Sequence, residues 1–508
     1  MKIILLFLIL LGSTSIYAQK REIKLISDNT ELVEIFNWAK TKAYSFVQTN
    51  KKGPINVYNR DQPSETVNYI PSYWAGYPLR TAFYSRDFCH QAIGAHLLGL
   101  EEENFTMLEA FTKSATVNRK WFPLWAINFD SSPYELDYQN DDYFVREIPA
   151  AFELVEKSYQ LYLWTKDERY LHNDFINTYN KKVTDEFIRL HDQNMKNAVA
   201  ESNGKGNIFL GTSTYNEQAD HAMIEAGDGI ASQYQAFKSY AALAQIKNNK
   251  KIANEYFKRA KNLKKYFNTD WGIKANANLY NRGYSPQQIP ISGWGKENSW
   301  FMPMKGITDA NSLRHENYLQ FIDEQLSTKE GLPVNIEAIT YIPETFYKYG
   351  KSELGWKWFK YIISKINTEH AEKNLTGSNG DYPEVSYVLI SNLVHDIMGI
   401  KPGIRNYAIQ TLPQLPTNTK SLKLKDVKVA GKYYDVEQLS NTQTILTVND
   451  LPNEPIVWRA SFIGKHRHVL YNNKKIKCKN EIIDGIMTSY IDVVVNNKAT
   501  NSVSLMKQ

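Results

Sequence analysis

The chain has 508 residues, 43% of them hydrophobic and 22% charged, which suffices for a large core and roughly two to three domains. Lysines and arginines exceed acids by +6, a mild bias spread along helical segments, which argues against a nucleic-acid binder. Two cysteines, Cys89 and Cys478, exclude a disulfide-stapled scaffold, and no Cys/His cluster has zinc spacing.

In chain order, Met1-Lys2, the apolar run Ile3 to Leu11 and Ser15 to Ala18 read as a signal peptide, residues 1–18, leaving Gln19 as the mature start. The run is too short to span a bilayer, so the expectation is export to the periplasm or medium without membrane insertion. From about Asn29 to Met398 the apolar periodicity is helical. A helix pair is expected near Phe88 to Ala115. A second hairpin runs from Phe152 through Trp164, turns at Thr165-Lys166-Asp167, and returns from Tyr170 past Phe187. A third takes Tyr234 to Ile246, turns at Lys247 to Lys250, and returns over Ile252 to Phe267. A fourth takes Ile336 to Tyr349 and, past Gly350-Lys351, Leu354 to Ile366, with further helices near Leu313 and Val385. Short polar loops of this kind join antiparallel helices. Between the hairpins, Gly204–Ala219, Trp271–Lys305 and Gly377–Glu384 are long and rich in Gly, Asn and aromatics, and long loops on a helical scaffold usually carry function. After Pro402 the texture changes. Thr411 to Pro416 reads as a linker, and Leu422–Leu424, Val427–Val429, Thr444–Val448, Ile456–Trp458 and Ile491–Val494 read as strands of a small antiparallel β domain.

Each hairpin has an apolar face that it cannot bury alone, so repeated hairpins imply a stacked array, and about a dozen helices would close into six pairs around an axis. The hairpin Leu161 to Tyr170, the hairpin ending Leu263 to Trp271, the stretch Asp381-Tyr382-Pro383-Glu384-Val385-Ser386-Tyr387 and the terminal β module together resemble the six-hairpin, (α/α)6-toroid superfamily of glycoside hydrolases and polysaccharide lyases. The resemblance implies a mainly α fold, with residues 19–410 as a toroidal catalytic domain and 411–508 as a β-sandwich-like domain. More narrowly, the chain is similar to unclassified proteins of marine Bacteroidota polysaccharide-utilisation loci, among them an oligosaccharide dehydratase of ulvan loci. That likeness implies a short uronate-containing, sulfated oligosaccharide as partner. The aromatic content, 33 Tyr and 11 Trp, suits a sugar-stacking surface, and a few cleft arginines would bind an anionic glycan.

Four constellations carry candidate chemistry. In Tyr84 to Gln91, Asp87 and His90 are three apart and share a helix face, and Arg86 can clamp a carboxylate. Tyr215 to His221 is dense in acid–base groups, with Asp220 beside His221. Gly295 to Phe301 offers Glu297 as an acid between Trp294 and Trp300, followed by Arg314 and His315. Asp381, with Glu384 and Tyr387, forms the fourth; Glu384 equally suits a helix N-terminus. The acidic loop Asp130, Asp137, Asp141, Asp142 fits no EF-hand, and no Gly-rich phosphate loop occurs, so no metal or cofactor is expected.

Two reactions use this inventory. β-Elimination at a uronate needs a His or Tyr base and an Arg for the carboxylate, roles open to His90, His221, Tyr215 and Arg86. An inverting hydrolase needs two carboxylates, Glu297 as acid with Asp87 or Asp381 as base. Elimination is the expectation placed first. A non-catalytic glycan-binding protein would lack the convergent acid–base groups.

Overall fold

A computed structural model describes residues 21–57, 65–216, 222–276, 278–371, 377–404, 406–450, 455–496 and 498–506. The expected signal peptide lies outside these residues. Among the described residues the helices are α1 (Thr30–Ser45), α2 (Ser85–Leu97), α3 (Glu101–Ser114), α4 (Ile148–Thr165), α5 (Arg169–His172), α6 (Asp174–Lys182), α7 (Ile188–His191), α8 (Gly227–Ile246), α9 (Lys250–Tyr266), α10 (Glu297–Met304), α11 (Leu313–Leu326), α12 (Ile336–Ile339), α13 (Ile342–Tyr347), α14 (Ser352–Lys365) and α15 (Pro383–Ser391).

Their starts follow local chemistry. Asn29, Asn173, Asn249 and Ser312 cap α1, α6, α9 and α11 by accepting from backbone amides two to three residues on. Lys166 ends α4 in the left-handed conformation (φ 57°), which makes the expected turn. Two kinds of helix result. α4 and α8 are buried along most of their length, including Glu153, Glu156 and Lys157 of α4 and Asp228 of α8. α9 buries only Ala253, Tyr256, Ala260 and Leu263, a stripe at helical spacing.

The buried helices contact one another in a cycle: α2 meets α4, α4 meets α8, α8 meets α10, and α10 meets α13. α12 touches α15, α13 touches the continuation of α15 over Asn392–Ile397, and α15 returns to α2. Around this ring, α3, α6, α9, α11 and α14 sit outside, and α1 packs on α15. Gly94 of α2 lets the last contact close, because a Cβ there would stand 2.1 Å from the Tyr387 carbonyl oxygen.

Several stretches read as loops contain short strands. Ala82–Tyr84 pairs with Ala126–Asn128, Lys52–Pro54 with Thr66–Asn68, and Glu225–Ala226 with Gly283–Tyr284. The C-terminal strands form a seven-stranded and a five-stranded sheet. Lys24–Ser27 pairs with Ser421–Val429, so the first described strand is built into the C-terminal β structure. The β domain is not wholly antiparallel: Ile409–Thr411 runs parallel to Ile456–Ile463. Leu422–Leu424 and Val427–Val429 belong to one strand broken by a bulge, where Asp426 has φ 55°. Both cysteines are buried and free, and among the described residues no helix is long and apolar enough to cross a membrane.

Candidate active site

The buried ring helices bring their N-termini to one end, and each starts with a carboxylate. Asp87, Asp228, Glu297, Glu337 and Glu384 lie in the first turns of α2, α8, α10, α12 and α15, and Glu147 immediately precedes α4, its carboxylate accepting from Trp125 Nε1. The helix dipole favours a negative charge there. Asp87, Glu297, Glu337 and Glu384 line one cavity of about 180 Å³, together with Arg80, Arg86, Lys296, Tyr77, Tyr341 and Trp125.

Local chain geometry sets each group. Strand Ala82–Tyr84 leads straight into α2, which places Arg86 and Asp87 at the mouth. Gly76 (φ 101°) passes so close that a Cβ would meet the Tyr84 ring at 2.6 Å and Asp87 Oδ1 at 3.3 Å. Pro383 opens α15 and holds Glu384 in its first turn. Lys296 precedes Glu297 with φ 53° and ψ −117°, a strained backbone for a residue with a side chain.

The carboxylates fall into two groups across the ring. On one side Glu384 lies within hydrogen-bonding reach of Asp87. Burial, then the adjacent charge of Asp87, pushes the Glu384 carboxyl well above the usual carboxylate range. On the other side Glu297, on α10, is 5% exposed. Burial raises its pKa, and the Arg86 guanidinium opposes that rise. Arg86 reaches from α2 to donate to Glu297 Oε1 at 3.2 Å and to the Tyr215 carbonyl at 3.1 Å, with its guanidinium 4.7 Å from the Tyr215 ring centre. Glu297 Oε2 is buried without a hydrogen-bond partner among the described residues. Behind it, Asp228 accepts from Thr214 Oγ1 and the Tyr215 amide; burial raises its pKa to about 7.

Below the cavity, Tyr215 donates to Glu153 Oε2 at 2.7 Å, and Lys305 bridges Glu153 and Glu156. Tyr341 lines both the cavity and the pocket that holds this charged layer.

The structure thus brings Arg86, Asp87, Tyr215 and Glu297 together. It places the other expected residues elsewhere. His90 is one helical turn deeper, stacked on Tyr341 at 3.5 Å, bonded to Thr340 Oγ1, and faces the charged layer. Burial, with Lys157, Arg86 and Lys305 nearby, pushes its pKa well below the usual value. His90 and Asp87 therefore do not share a cavity. Asp381 pairs with Lys42 at 2.5 Å and caps the turn before α15, outside the cavity. Trp300 is fully buried in α10, and Trp294 donates to the Gly331 carbonyl. Arg314 donates to the carbonyls of Asn276 and Leu279. His315 is buried against Thr308, and burial lowers its pKa to about 4. Tyr387 donates to the Ala43 carbonyl in the core. His221 lies outside the described residues. In the acidic loop, Asp141 is held by Arg119 and Asp130 by Ser132. Glu384 belongs to the fourth constellation but is given no catalytic role there, and Glu337, Arg80, Tyr341 and Trp125 are cavity groups that the sequence reading did not select. The signal for Glu337 and Glu384 is a carboxylate in the first turn of a buried helix and, for Trp125, only its place beside the strand that pairs with Ala82–Tyr84.

No protein-family model and no curated protein matches the chain. Solved structures do. An α-L-rhamnosidase from Dictyoglumus thermophilum matches over 95% of this chain with a TM-score of 0.61 and 14% identity. A GH78 family rhamnosidase of Bacillus sp. GL1 matches over 84%, with a TM-score of 0.60 and 10% identity. A putative kojibiose phosphorylase from the human microbiome covers 94% of this chain and 68% of its own, with a TM-score of 0.54 and 9% identity. At these identities the likeness is one of fold. The chain spans 50% and 41% of the two rhamnosidases it matches.

Proposed function

We propose that this protein is an inverting glycoside hydrolase acting on anionic, uronate-bearing oligosaccharides. The observation that carries the reading is that carboxylates from different ring helices line one cavity, Glu384 beside Asp87 with its carboxyl pushed well above the usual range and Glu297 held by Arg86. Glu384 is the acid: its proton, kept by burial and by Asp87, passes to the glycosidic oxygen as the bond to the anomeric carbon breaks. Glu297 is the base: Oε1 is held by Arg86, and the unpartnered Oε2 takes a proton from water as its oxygen bonds to the anomeric carbon. This reverses the sequence-based role of Glu297 and replaces Asp381. Inversion needs the two carboxyl groups about 6.5–9.5 Å apart. Trp125 offers a sugar-stacking edge, and Arg80, Arg86 and Lys296 suit a uronate carboxylate. The rhamnosidase and phosphorylase likenesses support a carbohydrate substrate. We read the contact cycle as an (α/α)6 toroid within residues 19–410 of an exported protein, with 411–508 as its β domain, to whose sheets Lys24–Ser27 and Ile409–Thr411 add strands.

β-Elimination is the second reading. It is favoured by the same three cations and by Tyr341, whose ring centre lies 5.8 Å from the Arg86 guanidinium. Incubation with uronate-containing, ulvan-type oligosaccharides and mass analysis of the products tests both. New reducing ends with gain of water, abolished in Glu297→Gln, support hydrolysis. Ultraviolet absorbance of an unsaturated uronate, with loss of water or chain cleavage without it, would replace hydrolysis with elimination.

A further inference from the structure

One stretch of the C-terminal β structure, residues 465–479, concentrates basic side chains. His468–Tyr471 pairs with Lys474–Lys477, which is the outer edge of the seven-stranded sheet. The chain then passes through buried Cys478, whose amide donates to the Arg467 carbonyl. Immediately afterwards Lys479–Ile483 forms the outer edge of the five-stranded sheet. The open edges of both sheets therefore meet at this hairpin. Lys465, Arg467, Lys474, Lys475, Lys477 and Lys479 are all exposed, and no residue from 465 to 479 is acidic. Among the described residues, Lys479 is the one of the six that reaches a carboxylate, Asp492 at 3.3 Å, which Arg459 already holds. The imidazole of His468, opposite Lys477, is held below its usual pKa by slight desolvation and by Lys475, Arg467 and Lys477.

We propose that this double edge is a docking surface for a linear acidic polysaccharide, separate from the cavity; the choice of a glycan rests on the function proposed above. Lys475 and Lys477 are two strand positions apart, so they project on one side at a spacing of about 6.8 Å, and Lys479 continues the row. An extended row of cations matches a chain that carries carboxylate or sulfate along its length. A single-stranded nucleic acid would want aromatic platforms. The stretch holds only Tyr471, whose hydroxyl is bonded to Asn501. A bilayer would want an apolar face, and here Ile476 is flanked by lysines. Lysines also guard sheet edges against pairing, so the test must separate recognition from solubility.

The full chain is run in native gels containing dextran sulfate, polygalacturonate or uncharged dextran, beside a Lys475→Gln/Lys477→Gln/Lys479→Gln variant. A matched Lys250→Gln/Lys251→Gln/Lys258→Gln variant on α9 controls for net charge, and arginine at 475, 477 and 479 tests rescue. Retardation by both acidic polymers and not by dextran is expected, lost in the first glutamine variant and kept in the control and the arginine variant. The proposal is overturned if the first variant is retarded as strongly as the parent, or if its only change is aggregation while the soluble fraction is still retarded. It is also overturned if oligothymidylate or phosphatidylglycerol vesicles bind more tightly than the acidic polysaccharides. Turnover of short oligosaccharides is measured on the same samples. Its absence with retardation intact would sink the cavity reading alone.

Discussion

Replacing Arg86 with methionine separates its effect on Glu297 from mere substrate binding. The guanidinium nitrogen is 3.2 Å from Glu297 Oε1, and the two side chains are only 13% and 6% exposed. At an effective dielectric of about 20 that contact is worth roughly 5 kcal/mol of gross attraction. Arginine beside a carboxylate lowers its pKa by about 1–3 units, or about 1.4–4 kcal/mol. Removing Arg86 takes away the largest influence opposing burial and leaves only Lys296 and the backbone amide of Glu297 against it, so the Glu297 pKa rises further. The proposed base acts ionised. The acid limb of kcat/KM against pH should therefore move upward by about 1–3 units, with activity falling about tenfold per unit below it and recovering above it. Arg86→Lys, which keeps the charge, should shift the limb less. A limb that stays in place while the rate falls equally at every pH would refute this reasoning and leave Arg86 a substrate ligand only.

Glu297→Gln and Glu384→Gln should each lower turnover by about 10²-fold or more. Thermal unfolding at neutral pH should be unchanged or slightly raised in Glu384→Gln, because burial disfavours its ionised form, and lowered in Glu297→Gln, which leaves buried Arg86 without its carboxylate. Glu225, which accepts from Trp271 Nε1, has its pKa raised by burial to about 8. Its folded form keeps the proton longer than the unfolded chain, so stability is full below about pH 4.5 and declines as pH rises to about 8, by at most about 5 kcal/mol. Glu225→Gln should flatten denaturant midpoints across that window; an unchanged slope would contradict it. Lys305→Met leaves Glu153 and Glu156 buried without their shared cation and should cost about 3–5 kcal/mol in urea unfolding. A loss below about 1 kcal/mol would show that the layer is well hydrated.

Much of the scaffold is legible in the chain. The Thr165–Asp167 and Lys247–Lys250 turns carry their own caps, Lys166 and Asn249, and the C-terminal strands alternate in burial as their sequences do. Arg86 and Asp87 stand out because they precede an apolar run. The helix expected from near Phe88 begins three residues earlier, at Ser85, because strand Ala82–Tyr84 runs into α2 without a capping side chain. That matters for His90. Three residues along a helix is about 4.5 Å of depth, enough to put it beyond Tyr341. Asp381 drew attention by composition, yet it lies just before the helix and meets Lys42, whereas Glu384 is inside the first turn. Trp294 and Trp300 read as sugar platforms, but on α10 and its approach they pack inward. The ring order that sets Glu297 opposite Asp87 and Glu384 comes from contacts between helices distant in sequence, and no local pattern carries it.

The most direct test of the account is a proton NMR time course of the anomer first released from a uronate-containing oligosaccharide by the purified protein, with Glu297→Gln as control. The account predicts a product of inverted anomeric configuration, and none from the variant. A product of retained configuration, an unsaturated uronate, or undiminished turnover by Glu297→Gln would contradict it.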